Sequence, residues 1–438
     1  MLILLSMSFT ATLNQTLMVT ALPQMVSAMH VGLNLAQWLT TGYVLVLGIM
    51  TPVSALLYEK FNNRPLFMGL TFIFTCGSLL GALSTSFWVI LAARLIQAAA
   101  GGIIVTLTQI LLMSIYPLEQ RGSIMGYVGL TISAAPAIGP TLSGIIINYL
   151  DWHALFSLTL PITILILIAA WFIMPNYSTP QSVHIDLISL FESLVGLGLL
   201  LASFSFISTS PLIGVILFVT GALITWLFVK RQFHLQMPFL NLRLLGNHSF
   251  RAMTLFIMLV FGIMMGTETL LPLFTENVLH ISALNAGLMM LPGAALTAIC
   301  APFVGRLYDR YGIRWLVISG IGIVLLSCFP FFFFSDRTGS LWITLCYAVR
   351  MFGISLLVTP ATTEAFKSVS PQNLNHATAL NNSLRQISGS FFNTIMIMVA
   401  SLPASFVTGF HLAIGVTFIL ALLLLLIEFY YQERSVHA

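Results

Sequence analysis

The sequence predicts an all-α integral membrane protein. Apolar stretches of membrane-spanning length recur from end to end, they are almost free of charge, and the loop bases gather on one side of them. Of 438 residues, 58% are hydrophobic and 6% are charged, against about 25% charged in a soluble domain. A surface so poor in charge cannot mostly face water. A hydrocarbon core of about 30 Å takes roughly 20 apolar residues to cross. No polar segment is long enough for a soluble domain, and the four cysteines lie within apolar stretches with no metal-binding spacing.

Charges, prolines and glycines divide the chain into fourteen spans, near residues 2–28, 35–58, 65–84, 87–115, 122–149, 153–174, 187–208, 211–229, 251–275, 287–307, 315–335, 340–365, 376–401 and 408–430. The first lacks a basic start and a cleavage site, and reads as a span, not a signal peptide. The second stops at Glu59-Lys60 and the third begins after Arg64. Pro117 ends the fourth, Asp151 the fifth and Pro175 the sixth. Asp186 opens the seventh, and Lys230-Arg231 closes the eighth. The ninth runs from Arg251 to Glu276, the tenth ends at Arg306, and the eleventh lies between Arg314 and Asp336. The twelfth spans Ser340 to Lys367, and the last two are split near Pro403. An even number puts both termini on one side. Lys60, Arg64, Arg121, Arg243, Arg310, Arg314 and their neighbours lie on that side, and Arg337 alone lies in the opposite loops. The positive-inside rule makes the basic side, with both termini, cytoplasmic.

An internal repeat organises these spans. Segment 57–64, LYEKFNNR, matches 307–314, LYDRYGIR. Gln15-Thr16-Leu17 in the first span matches Glu268-Thr269-Leu270 in the ninth, and Arg94 in the fourth corresponds to Arg350 in the twelfth. The offsets of 250, 253 and 256 residues hardly drift. Two homologous six-span halves, 1–174 and 251–438, therefore flank an inserted pair and its connector, 175–250. Repeats of this kind build secondary transporters around a midplane site.

Charges inside spans cost at least about 2.5–3.5 kcal/mol each and mark a partner or a cavity. Arg94, Arg350, Arg385, Glu192, Glu268 and Glu364 need an account. Glu192 and Glu364 lie near the basic side, within reach of water. Glu268 lies about 12 Å and Arg350 about 15 Å in from the opposite mouth, at 1.5 Å per residue. Similar depth and repeat symmetry make them the expected proton-coupling pair, with Glu268 carrying the proton and Arg350 tuning it. On the Glu268 helix, Phe261, Met264 and Met265 share one face and suit a plastic, cation-attracting wall. Asn14, Gln15, Tyr43, Asn381 and Asn382 are candidate polar liners, and Arg385 is placed to orient the cytoplasmic half of a site.

Further motifs carry a family resemblance. Gly305-Arg306-Leu307-Tyr308-Asp309-Arg310-Tyr311-Gly312 follows G-x-L-x-D-R-x-G, and its first-half copy has Glu59 for the Asp and Asn63 for the Gly. Arg94-x-x-Gln97 precedes Ala98. Ala135-Pro136-Ala137-Ile138-Gly139-Pro140-Thr141-Leu142-Ser143-Gly144 forms a Pro/Gly-rich fifth span, and Gln37 to Tyr43 and Asn381 to Gln386 add two further runs. In this order they resemble the major facilitator superfamily, and within it the fourteen-span drug:proton antiporters of the EmrB/QacA kind.

That resemblance implies a major facilitator fold. Glu59 with Lys60 and Arg64, and Asp309 with Arg310 and Arg314, would clamp and release neighbouring spans. Pro136, Gly139, Pro140 and Gly144 would bend the fifth span and seal the inner path. Arg94 would join the coupling set, but where relatives carry a first-span acid this chain has Gln15, which holds no proton.

The expected activity is proton-driven export of lipophilic, cationic drugs by a monomer in the plasma membrane, with no cofactor and no metal. The expected partners are the bilayer, the drugs and protons, and not nucleic acid. Export of a native metabolite, lipid or peptide is the other transport reading, and sodium or potassium could compete for the same carboxylate. An enzyme would need a catalytic cluster and a receptor a sensing domain, and the sequence has neither.

Overall fold

The computed structural model describes residues 1–18, 21–31, 33–36, 38–177, 186–206, 210–235, 238 and 240–436. Helices dominate the described residues, and no strand occurs among them. Each of the fourteen stretches contains a helix. The first is interrupted: α1 (Leu2–Leu17) ends, and α2 (Leu22–Met29) begins with a proline in its first turn, where a missing N–H costs nothing. After the short α3 (Leu33–Ala36), the second stretch divides into α4 (Trp38–Met50) and α5 (Val53–Lys60), bent by 50° at the break before Val53. Pro52 caps α5 there and supplies no backbone donor.

The helices α6 (Asn63–Leu83), α7 (Phe87–Ile115), α8 (Arg121–Tyr149) and α9 (His153–Ile173) complete the first half. The inserted pair is α10 (Leu187–Phe206) and α11 (Pro211–His234). The second half has α12 (His248–Asn277), α13 (Ala283–Tyr311), α14 (Arg314–Phe331), α15 (Ser340–Lys367), α16 (Leu374–Ser401) and α17 (Phe406–Val436). Nine helices among the described residues are long and apolar enough to cross a membrane, and the α4–α5 pair makes a tenth. Trp88, Phe172, Leu212 and Phe333 turn outward, each more than half exposed. Such surfaces belong against lipid.

The chain forms two compact units. The first comprises residues 1–115, 135–242 and 372–383; the second comprises 116–134, 243–371 and 384–438. Helices α8 and α16 thus each contribute to both units. The first unit is built around Leu13, Leu17, Leu39, Phe87, Trp152 and Phe156. It also takes in the inserted pair, whose Phe206 ring lies 5.6 Å from that of Trp38. In the second unit, α12 and α16 meet closely: side chains at Gly262 and Gly266 would collide with Phe392 and Met396. This is the small-residue contact that lets membrane helices approach. Phenylalanines 274, 331, 334 and 410 stack at one end, with centroids 4.6 Å apart for Phe274 and Phe410.

The inserted pair is tied at its basic end. Asp186 takes a two-pronged contact from Arg231 at 2.7 and 3.0 Å, and a third hydrogen bond from Ser189. The Arg231 guanidinium leads in holding the Asp186 carboxyl down to about 2. A depressed carboxyl adds stability that is complete above its unfolded value of about 3.9 and fades as pH falls through its folded value. Asp186→Asn is therefore expected to lower the unfolding midpoint at pH 7, with the gap to wild type closing as pH falls toward 2. A gap of constant size across that window contradicts the assignment; thermal unfolding in detergent reads it.

Candidate functional site

In the first unit, the interior is organised by Arg94, which is fully buried on α7. Its Nε donates to the Leu39 carbonyl at 3.1 Å. Its Nη1 donates to Asn14 Oδ1 at 2.7 Å and Gln97 Oε1 at 3.3 Å, and its Nη2 donates to the Asn14 carbonyl at 2.9 Å. The guanidinium lies 4.1 Å from the Tyr43 ring centroid, and the Tyr43 hydroxyl donates to the Ala11 carbonyl at 2.8 Å. Gln97 passes the network to Ser78 at 2.9 Å, and Thr159 joins Ser78 at 3.0 Å. Every hydrogen-bond partner of this buried cation among the described residues is neutral. Asn14 supplies two of its acceptors, and the neighbouring Gln15 is half-buried.

The corresponding place in the second unit is built differently. Arg350 is fully buried on α15, yet its Nε and Nη2 have no hydrogen-bond partner. Its Nη1 meets only the Cys328 sulfur, at 3.7 Å, and its guanidinium lies 5.2 Å from the Phe331 ring centroid. Glu268 on α12 is half-buried and carries no ion-pair partner among the described residues. No hydrogen bond or ion pair joins the two, but the buried Tyr347 lies within electrostatic reach of both. Sequence reasoning passed over Tyr347, although it precedes Arg350 by almost one helical turn.

Phe261 and Met264, two turns and one turn along α12 from Glu268, line a small cavity with Thr297, Ser355, Thr359 and Arg385. Met265 turns instead toward Gly389 on α16. Arg385 is buried 4.9 Å from the centre of the Phe261 ring. Asn381 and Asn382 belong to the first unit. There Asn382 donates to Gln109 Oε1 at 2.8 Å and Thr106 Oγ1 at 3.3 Å. Gln109, unremarked in the sequence, could have been found as an amide in the last two turns of a 29-residue apolar helix.

The signature loops do related work in both halves. In the second unit, the Asp309 carboxylate accepts the Gly122 N–H at 3.0 Å, the Ser123 N–H at 2.9 Å and the Ser123 hydroxyl at 2.6 Å. It sits on the first turn of α8, where unpaired N–H groups and the helix dipole favour an anion. Gly305, one turn earlier, makes room for the Gly122 carbonyl. Gly312 ends α13 at φ 75°, a conformation that favours glycine. Backbone register places Asn62, not Asn63, opposite Gly312; at φ −58° no glycine is needed there. Asn63 instead donates to the Pro175 carbonyl at 3.0 Å and accepts the Tyr177 N–H at 2.7 Å.

In the first unit, Glu59 accepts from Asn375 and lies 3.0 Å from His376 Nε2, at the start of α16. Residues 375 and 376 are 253 positions beyond 122 and 123, the offset that relates Gln15 to Glu268. The loop bases stand apart from these acids. Arg64 donates to the Trp171 carbonyl, Lys60 lies 5.8 Å from the Phe61 ring, Arg310 lies 5.2 Å from the Tyr311 ring, and Arg314 is exposed. In the fifth span, a side chain at Gly139 would strike Thr16 of α1, and Gly144 is half-buried. Gln37 and the side chains of Pro136 and Pro140 lie outside the described residues.

Glu364 is held by the Tyr308 and Tyr431 hydroxyls, the latter at 3.0 Å. It faces a cleft of about 380 Å³ with Glu119, Arg121, Asp309 and Lys367. Glu192 Oε2 is buried without a hydrogen-bond partner.

The Major Facilitator Superfamily profile matches residues 4–393. The chain is 41% identical over 406 residues to an uncharacterized MFS-type transporter, YcnB, of Bacillus subtilis (strain 168), covering 92% of this chain and 86% of that one. It is 33% identical over 399 residues to the lincomycin resistance protein LmrB of Listeria innocua, covering 90% and 84%. The fold resembles the crystal structure of the human organic anion transporter MFSD10, with a TM-score of 0.71, 16% identity, and 97% and 98% of the two chains covered.

Because Asn14 provides two acceptors to a cation with no acid beside it, Asn14→Ala is expected to destabilise the protein by about 1.5–3 kcal/mol, the usual worth of a hydrogen bond to a charged group. Asn14→Asp should be tolerated. Denaturant unfolding in detergent measures both, and an unchanged Asn14→Ala midpoint would show that the Asn14 carbonyl alone suffices.

Proposed function

The chain belongs to the Major Facilitator Superfamily, and on that premise we propose that it expels lipophilic, cationic compounds across a bacterial plasma membrane in exchange for protons. Both termini face the cytoplasm, and the exchange proceeds by alternating access. The observation that carries this reading is the contrast between the two interiors. In the first unit, the buried guanidinium of Arg94 is satisfied by fixed neutral acceptors. In the second, Arg350 has open donors, and the unpaired carboxyl of Glu268 lies in the same neighbourhood.

A carboxyl so placed has three ways to offset its charge. It takes a proton, it turns to Arg350, or it meets a cationic compound. Proton and compound compete for one group, so the arrival of one favours the departure of the other, which is the requirement for exchange. The membrane potential adds about 2.3 kcal/mol per net charge per 100 mV. The contacts of Asp309 with α8 and of Glu59 with α16 are the elements that would form and break as access alternates. The resistance named for the Listeria relative supports a drug-like cargo.

Purified protein in liposomes, loaded with a fluorescent lipophilic cation and given an imposed pH gradient, tests the proposal. Dye movement should follow the gradient, persist when sodium is replaced by choline, and fall to the level of empty liposomes in Glu268→Gln. Gradient-driven movement that survives Glu268→Gln would remove the assignment of the coupling group. Movement indifferent to the gradient would remove exchange altogether.

A further inference from the structure

Arg385 is a buried guanidinium with open space beside it. It is 6% exposed, its Nε–H has no acceptor, and its planar head lies 4.9 Å from the centre of the Phe261 ring. The cavity beside it offers about 20 Å³, room for a single water-sized group and not for a drug. No acid lines that cavity. Two of its hydroxyls are committed elsewhere: Thr297 donates to the Gly293 and Met351 carbonyls at 3.0 and 3.1 Å, and Ser355 donates to the Phe352 carbonyl at 2.8 Å. A lone cation without an anion in an apolar interior is a costly feature, and a small acceptor group entering the cavity would relieve it.

Along α12, Phe261, Met264 and Glu268 follow one another on a single stripe, because positions four and seven apart share a helix face. Seven residues at 1.5 Å each put Glu268 about 10 Å beyond Phe261. The second unit therefore presents a fixed cation, an apolar wall with a polarisable methionine, and a carboxyl, in that order. Arginine matches a carboxylate with paired donors better than any other side chain does.

We infer that Arg385 receives an anionic carboxylate of the exported compound, so that the preferred substrates are lipophilic zwitterions, with a carboxylate at Arg385 and an amine toward Glu268. This rests on the export reading above and narrows its substrate class from cations in general to compounds that carry both charges.

Two xanthene dyes that differ at one group give the test: rhodamine 123, a cation whose carboxyl is a methyl ester, and rhodamine 110, the free acid and a zwitterion. Fluorescence anisotropy with the purified full chain in detergent should show the free acid binding at least about tenfold more tightly, the factor that one charge-assisted hydrogen bond supplies. Arg385→Gln should bring the two affinities within about twofold by weakening the acid alone, and Arg385→Lys should keep part of the preference because the charge remains. Equal affinities in the wild type overturn the inference, whether or not Arg385→Gln folds. Equal weakening of both dyes by Arg385→Gln overturns it as well. Binding is read without a gradient, so an intact acid preference alongside gradient-independent movement in liposomes would count against proton exchange and leave Arg385 in place.

Discussion

The structure turns on what is done with positive charge in an apolar interior. Three guanidiniums, on α7, α15 and α16, are buried where water is scarce, and each must find acceptors within the protein or do without. Arg94 finds them all: two side-chain amides, two backbone carbonyls and an aromatic face close around it. Arg350 has a ring and a thiol, and Arg385 has a ring and an open cavity. The same residue type is thus fixed in one place and left with unused donors in two others. The unused donors lie in the second unit, together with the interior carboxyl. A fully satisfied network rigidifies, whereas an unsatisfied one gains free energy when something arrives. A fixed interior in the first unit and unspent donors in the second follow from that difference.

Close helix contact makes these arrangements possible. Without a hydrophobic force between helices in lipid, helices associate through packing and hydrogen bonds, which small residues allow. Gly262 and Gly266 bring α12 against α16, and so bring Phe261 under Arg385. Gly122 and Gly305 bring α8 against α13, and so bring Asp309 to the α8 N-terminus. In each case the glycine sets the distance and a residue within about one turn of it performs the chemistry.

Much of this was legible in the sequence, for reasons that can be named. Fourteen apolar stretches were visible because a membrane imposes one length on every span. The repeat was visible because duplicated positions keep their offsets, and those offsets pair Gln15 with Glu268 and Arg94 with Arg350. Hidden was the partner of Arg94: attention went to Gln15, and Asn14 makes the contact, because one residue along a helix turns the side chain by about 100°. Also hidden were the partners of the signature acids. Spacing suggested the adjacent bases, but a carboxylate beside a helix start is drawn to free N–H groups, and long surface bases gain little from pairing in water. Tyr347 and Gln109 went unmarked because a single polar residue in an apolar run has no pattern to announce it.

The two signature loops show how a duplicated device diverges in chemistry while keeping its geometry. Asp309 accepts the backbone N–H groups of Gly122 and Ser123 and the Ser123 hydroxyl, and position 122 must stay glycine, because a side chain there would strike the carboxylate. Glu59, one methylene longer, reaches the side chains of Asn375 and His376 at the corresponding start of α16. The first contact depends on where a helix begins, and the second on which residues begin it. The backbone contact survives substitution at Ser123 with the loss of one hydroxyl donor, whereas Asp309 and Gly122 are constrained together. In the first half both partners must be kept together, because replacing either His376 or Asn375 leaves a half-buried carboxylate short of a donor. The longer acid therefore ties Glu59 to two specific side chains of α16, where Asp309 is tied mainly to a helix end that must carry glycine at 122.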